Sequence, residues 1–319
     1  MAQPLRPHLL LVNLGTPEAP TAESVREFLA EFLSDPAVVD LPRWLWKPIL
    51  HRAVLRSRPA RVAHQYQSIW TNEGSPLRVA TERIVAEMRA MADGRFTVSS
   101  AYRYGAPSIE TALQGLENGD GPVFVVPLFP QRTDATTGTV WKLARHVGNS
   151  LTRQVVARDV SAADPGYIAA LASRWSEAVA AAERPPDHLV VSFHGIPVRY
   201  DRRERRIYTR DCEATTRAFL AAIDWPRTRA TLAYQSKFGP EPWLQPATAD
   251  VLVTLPRRGL RHVAVITPGF VTEGLETIEE IGMRGRASFL GAGGETFVRV
   301  GAVESHPLFL SALAGLAMV

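Results

Sequence analysis

Residues 187–200 read "DHLVVSFHGIPVRY". Leu189, Val190, Val191 and Phe193 form a nearly continuous apolar run of strand length, without the polar alternation of a sheet that faces water on one side. A strand of this kind is covered on both faces, the condition of a parallel sheet flanked by helices. The run stops at His194, and Gly195 and Pro197 then turn the chain. Ligands of open parallel sheets bind beyond the carboxyl ends of the strands, so His194 stands where chemistry is expected.

Seven further runs have the same character: "HLLLVNLG" (8–15), "FTVSSAYRYG" (96–105), "PVFVVPLFP" (122–130), "RQVVARDV" (153–160), "RATLAYQS" (229–236), "RHVAVITPGF" (261–270) and "TFVRVGAV" (296–303). Amphipathic segments separate them. In "TAESVREFLAEFLSDP", Val25, Phe28, Leu29, Phe32 and Leu33 share a helical face, with Thr21 as N-cap and Pro36 as stop. "GSPLRVATERIVAEMRAMADG" opens on Ser75 and Pro76, an N-cap and first-turn pair, and closes on Gly94. The alternation predicts an α/β protein of two Rossmann-like lobes, each a parallel sheet flanked by helices, with a cleft between them. The first lobe spans 1–153 and the second 154–303, and a C-terminal helix over 304–319 is expected to pack on the first.

Composition narrows the chemistry. The formal charge is +4, and three of 36 cationic residues are lysines, so arginine carries the balance and suits planar recognition of carboxylate or phosphate. The densest cluster, "RYDRRERRIYTR" (199–210), is either a solvated face or an anion-binding patch. A single such run does not make a nucleic-acid binder. One cysteine, Cys212, excludes an internal disulfide framework, a Cys-rich zinc site and a cysteine-ligated iron–sulfur cluster within the chain. No apolar run is long enough to span a membrane, and the start lacks a cleavage pattern, which leads to the expectation of a cytoplasmic protein. No P-loop, nucleophile elbow or dinucleotide fingerprint occurs.

Two stretches carry the candidate reaction. His194 in "SFHGIP" exposes an imidazole that binds a metal or accepts a proton when neutral. After "VAVITPGF" a helix is expected from Thr272, placing Glu276 and Glu280 at i and i+4 on one face. Glu273 is explained by acidic residues favouring a first helical turn. His194 and Glu276, set facing each other across the cleft, are too few for a closed structural metal shell and suit a metal in transit or acid–base work.

Taken together, "LLLVNLGTP", "SDPAVVDLP", "GSPL", "RYGAPSI", "PLFPQRTDATTG", "SFHGIP", "YQSKFGPEPWL" and "PGFVTEGLETIEEI" resemble the ferrochelatases, which insert ferrous iron into a porphyrin to make haem. The eight stretches are collinear and cover most of the chain. The resemblance implies a porphyrin gripped in a bent form, His194 and Glu276 as catalytic residues, and His194, Glu276 and Glu280 along the metal or proton path. It places Arg103, Tyr104, Phe129, Thr137 and Trp243 against the macrocycle. It implies Fe²⁺ as substrate with no permanent cofactor and, lacking the C-terminal cysteines of some relatives, no iron–sulfur cluster. Protoporphyrin IX is the expected macrocycle, with coproporphyrin III chelation, cobalt chelation of an earlier tetrapyrrole and non-catalytic tetrapyrrole binding as alternatives. The reading leaves room for a transient iron-donor protein and a weak membrane-surface contact through "HPLFLSALAGLAMV", and gives no role to nucleic acid. The family's "PQYSxxTTG" is here "PQRTDATTG", so Arg132 replaces an aromatic residue and is expected to pair with a propionate.

Overall fold

Two four-stranded sheets, parallel throughout, organise the chain, and the computed structural model describes residues 6–116 and 121–318. The first contains β1 (His8–Asn13), β2 (Thr97–Tyr102), β3 (Val123–Pro127) and β4 (Val155–Ala157), in the order β2-β1-β3-β4. The second contains β5 (His188–His194), β6 (Ala230–Gln235), β7 (His262–Ile266) and β8 (Thr296–Arg299), in the order β6-β5-β7-β8. All eight apolar runs are therefore strands, and with helices flanking each sheet the fold is two Rossmann-like lobes. The chain divides into two compact units: residues up to Leu128 with Asp134–Asp159 and the end from Leu313, and Phe129–Thr133 with Val160–Ala312.

Burial explains the central strands. Every residue of β1 and β3 is buried, as are the first six of β5, because each of these strands has neighbours on both edges and helices over both faces. In each sheet the strand order reverses beside the first strand of the unit, between β1 and β3 and again between β5 and β7. A crevice opens beyond the carboxyl ends at such a point, since the connections on either side of it leave in opposite directions.

Local signals behave as their chemistry requires. The helix Ala22–Phe32 is capped by Thr21, whose hydroxyl accepts from Ser24 N at 3.3 Å. Ser75 precedes the helix Pro76–Ala92, but its hydroxyl accepts from Thr16 Oγ1 at 2.8 Å instead of capping, and Asp93, at φ 44°, takes the left-handed stop ahead of Gly94. Gly15 is required as glycine: at φ +110° a Cβ there would lie 1.8 Å from the Tyr104 carbonyl oxygen.

The C-terminal helix spans Pro307–Gly315. Its first part packs on the helix Pro165–Ala180 of the second unit. A Cβ on Gly166 would meet Leu308 O at 2.8 Å and Ala312 Cβ at 3.0 Å, and the rings of Tyr167 and Phe309 lie 5.6 Å apart. Residues from Leu313 onward group with the first unit. The glycine leaves the groove into which the apolar face settles. No helix among the described residues is long and apolar enough to cross a membrane.

Candidate functional site

β5 delivers His194 to the edge of the second sheet, half-buried, and the turn that follows fixes its ring. The imidazole Nδ1 lies 2.6 Å from Gly195 O, a carbonyl that can only accept, so Nδ1 carries the proton. In the neutral imidazole Nε2 then keeps the lone pair, and it has no hydrogen-bond partner among the described residues. The strand end is held as well, since Tyr208 donates its hydroxyl to His194 O at 2.6 Å. Gly195 admits a close approach on its other side: a Cβ would meet Gln235 O at 2.8 Å and the Trp243 ring at 3.1 Å.

The segment after β7 does not enter its helix at Thr272. Val271 O accepts from Glu304 N at 2.8 Å, and the Glu273 carboxylate binds Arg299 Nη1 at 2.7 Å and Ala302 N at 3.0 Å. Residues 271–274 are thus hooked to the chain following β8, and the helix begins only at Leu275. Glu273 acts as half of an ion pair, not as a macrodipole partner. The helix Leu275–Gly285 is a π-helix, a form rare in proteins and frequent at functional sites. Its i→i+5 bonding widens the turn, so residues four apart no longer stack as they do on an α-helix. Buried Ile281 anchors it in a core with Val190, Leu252 and Phe289.

The widened turn sends the two carboxylates in different directions. Glu280 accepts from Ser236 N at 2.8 Å and Ser236 Oγ at 2.5 Å. Glu276 has no side-chain partner of this kind among the described residues, only a hydrogen bond with its own backbone, which acts to lower its proton affinity. Protein atoms crowd its carboxyl although part of the residue remains accessible, and this burial raises its proton affinity above the usual carboxylate range; the nearby His194 works against the shift, and Glu280 and Glu279 add to it. His194 and Glu280 both act electrostatically on Glu276, while Glu280 is itself held by Ser236 and by Gln235 Nε2 at 3.4 Å. Among the described residues no three His, Cys, Asp or Glu side chains converge as a closed metal-ligating group. His194 and Glu276 come from the second unit, His194 at the end of β5 and Glu276 after β7, which are adjacent strands of one sheet. Both lie within the second lobe, 154–303, to which the sequence assigned them.

Gln235 ties these parts together and was not singled out from sequence. Its Oε1 accepts from Ser192 Oγ at 2.8 Å, and its Nε2 donates to Glu276 O at 2.9 Å. Ser192 is also 2.7 Å from Thr248 Oγ1. All three side chains are buried, so the chain of bonds links β5, β6 and the π-helix away from water. A polar residue closing an apolar strand, as in "TLAYQ", was the available signal.

The remaining candidates are distributed as follows. In the first unit, Arg103 binds Asp35, which also accepts from the Tyr104 hydroxyl and Thr139 Oγ1, each at 3.0 Å. Tyr104 is buried, and desolvation pushes its phenol well above the ordinary value, so it remains a donor. Thr137 is buried in the short π-turn Asp134–Gly138 with no partner for its hydroxyl. In the second unit, Phe129 is half-buried, and Trp243 lies beside Gly195 with its Nε1 buried and unpartnered. Arg132 binds Asp211 through Nε at 3.0 Å, so the guanidinium expected to meet a propionate is already engaged by a carboxylate.

Comparison with known proteins agrees with the motifs. A family model described as ferrochelatase matches residues 7–319. Over 311 residues the chain is 43% identical to a protein named ferrochelatase from Pectobacterium atrosepticum, covering 96% of this chain and 95% of that one. Over 314 residues it is 42% identical to a protein named coproporphyrin III ferrochelatase from Symbiobacterium thermophilum, covering 97% and 96%. Among solved structures, SirB from Bacillus subtilis with Fe3+ aligns with a TM-score of 0.57 over 98% of this chain and 94% of that one; at 11% identity this likeness concerns the fold alone.

Proposed function

Since the chain belongs to the ferrochelatase family and inserts ferrous iron into a porphyrin, we propose that His194 and Glu276 perform the exchange of two protons for the metal, with protoporphyrin IX as substrate and protohaem as product. A free-base porphyrin holds two N–H protons in the plane that the metal must enter. The reaction needs a group able to take a proton near neutrality and a ligand that binds Fe²⁺ and releases it.

The observation that carries the reading is the free Nε2 of His194 beside a carboxyl of raised proton affinity. Because Gly195 O holds Nδ1–H, Nε2 presents its lone pair without a tautomer change, ready for a pyrrole proton or for iron. Burial makes Glu276 a stronger base than an ordinary carboxylate, so it can hold a proton taken from the macrocycle. Imidazole and carboxylate admit Fe²⁺ without the closed shell that would retain it. No resident cofactor is assigned. The single cysteine, Cys212, is buried with its thiol pushed well above the ordinary value, and a cluster needs several thiolates. Arg103, Tyr104, Phe129, Thr137 and Trp243 are assigned to the macrocycle on the family resemblance.

Charge pairing supports two carboxylates on the porphyrin over four. Arg103 is matched by Asp35 and Arg132 by Asp211, so each guanidinium already has an anionic partner. Coproporphyrin III is the second reading, favoured by the name of the Symbiobacterium thermophilum relative. An anaerobic assay with Fe²⁺ and each porphyrin tests both: kcat/KM is expected to be higher for protoporphyrin IX, at least about tenfold for one well-made charge pair's difference. The reverse order would transfer the assignment to coproporphyrin III, and binding of either without a metallated product would overturn catalysis.

A further inference from the structure

The arginine cluster at 199–210 borders a cavity of about 440 Å³ that lies wholly within the second unit. That volume falls within the range of small-molecule sites. β6 separates it from His194. Side chains alternate along a strand, so Leu232 and Tyr234 line the cavity while Gln235, on the opposite face, reaches Glu276.

Three arginines border the cavity from two directions. Arg202 and Arg206 come from the chain between β5 and the helix Ile207–Ala222, and Arg227 from the short turn that leads into β6. Arg205 and Arg206 are both left-handed, at φ 55° and 58°, a conformation sparsely populated for arginine. The turn is held by Arg206 N donating to Asp201 O at 2.6 Å. The guanidinium of Arg206 is 4.0 Å from the Asp201 carboxylate and 65% exposed, so that pairing leaves it available. The Asp201 carboxylate, in turn, accepts from Thr209 N at 3.2 Å and closes the start of the helix.

One buried hydroxyl on this wall is poorly satisfied. Thr209 is 6% exposed, and among the described residues its Oγ1 meets no well-formed hydrogen-bond partner and has only a loose approach to the Tyr234 phenol, which favours that group's ionised form. A buried hydroxyl left so weakly paired is costly unless something else completes it.

We propose that this cavity binds a small organic anion with clustered phosphate or carboxylate oxygens, held by Arg202, Arg206 and Arg227 and completed by the Thr209 hydroxyl. Guanidinium groups suit both kinds of oxyanion. Asp201 and Glu213 also line the cavity, and both charges oppose an anion, Asp201's being partly spent on Thr209 N. The sign of Glu213's contribution therefore discriminates this reading from a merely solvated arginine face.

Calorimetric titration of the full chain with pyrophosphate and with citrate, at low ionic strength and without porphyrin or iron, tests the proposal independently of the role given to His194. Saturable binding of one molecule per chain is expected from at least one probe, and the probe that binds distinguishes phosphate from carboxylate. Arg206→Ala and Arg227→Ala are each expected to weaken it about tenfold, the scale of one charge-assisted bond. Thr209→Val should weaken it by a smaller factor, Glu213→Gln should tighten it, and His194→Ala should leave it unchanged. Metal-insertion turnover of the arginine variants, expected at the wild-type level, serves as the folding control. No saturable binding of either probe, binding indifferent to both arginine substitutions, or weaker binding in Glu213→Gln would overturn the proposal.

Discussion

The two sheets share one topology and treat their carboxyl edges in opposite ways. Beyond β1 and β2 the polar groups are closed on one another: Asn13 donates to Thr81 Oγ1 at 2.9 Å, Thr16 to Ser75, and Asp35 gathers Arg103, Tyr104 and Thr139. Beyond β5 and β7 the ionisable pair is left open, with Nε2 of His194 unpartnered and Glu276 desolvated without a counter-cation bound to it. Strand order brings side chains to an edge in both units. Whether the edge does chemistry depends on how completely its charges are paired.

The largest effect should come from the open edge. His194→Ala is expected to lower metal insertion about 10²- to 10⁴-fold, the scale of losing a proton acceptor, while porphyrin binding followed by fluorescence quenching persists. Retention of more than about a tenth of wild-type turnover would place the essential base elsewhere.

At the closed edge the same kind of deletion should damage stability. Asp35→Ala strands the Arg103 guanidinium, whose side chain is 17% exposed, and is expected to cost about 3 kcal/mol in urea denaturation, as breaking a buried pair does. A cost under about 1 kcal/mol would show that this cluster behaves as a surface ion pair.

Gln235→Leu should sharpen the contrast by disturbing the open edge indirectly. Breaking the bond to Glu276 O is expected to lower kcat about 10- to 100-fold, as loss of a group that orients a metal-binding side chain does, with KM for porphyrin little changed. A rise in KM with kcat intact would make Gln235 a binding residue instead of a positioning one.

The smallest effect is a gain. Burial holds the Glu276 carboxyl above its ordinary 4.5, so the folded state binds that proton more tightly than the unfolded state does. Its contribution to stability is complete below about pH 4.5 and is lost as pH rises through the folded value. Glu276→Gln should therefore be the more stable protein at pH 7, by no more than about 1 to 2 kcal/mol, the usual scale of a single substitution. The difference should close in acid. Thermal unfolding across pH reads it, and a variant less stable than wild type at neutrality would contradict the burial argument.

Much of this was legible in the residues because it depends on short-range pattern. The eight apolar runs, the Thr21 cap and the turn after His194 need only neighbouring side chains to be read. Helix entry at 272–275 was not legible, because what delays it is Arg299 and Ala302, more than two dozen positions away, holding Glu273. The engagement of Arg132 was missed for the same reason: its partner, Asp211, sits 79 positions along the chain. Gln235 went unremarked because a terminal strand glutamine is ordinary until its partners, Ser192, Glu276 and Glu280, are known.

By itself the sequence determined the α/β class, the eight strands and the motifs that mark the family, since periodicity and turn chemistry are properties of adjacent residues. Tertiary structure alone decided how His194 and the π-helix carrying Glu276 meet, that Glu280 turns to Ser236, and that Arg103 and Arg132 are already matched. Each of those outcomes depends on which distant groups share a desolvated space, and charge pairing and proton affinity are set by that space.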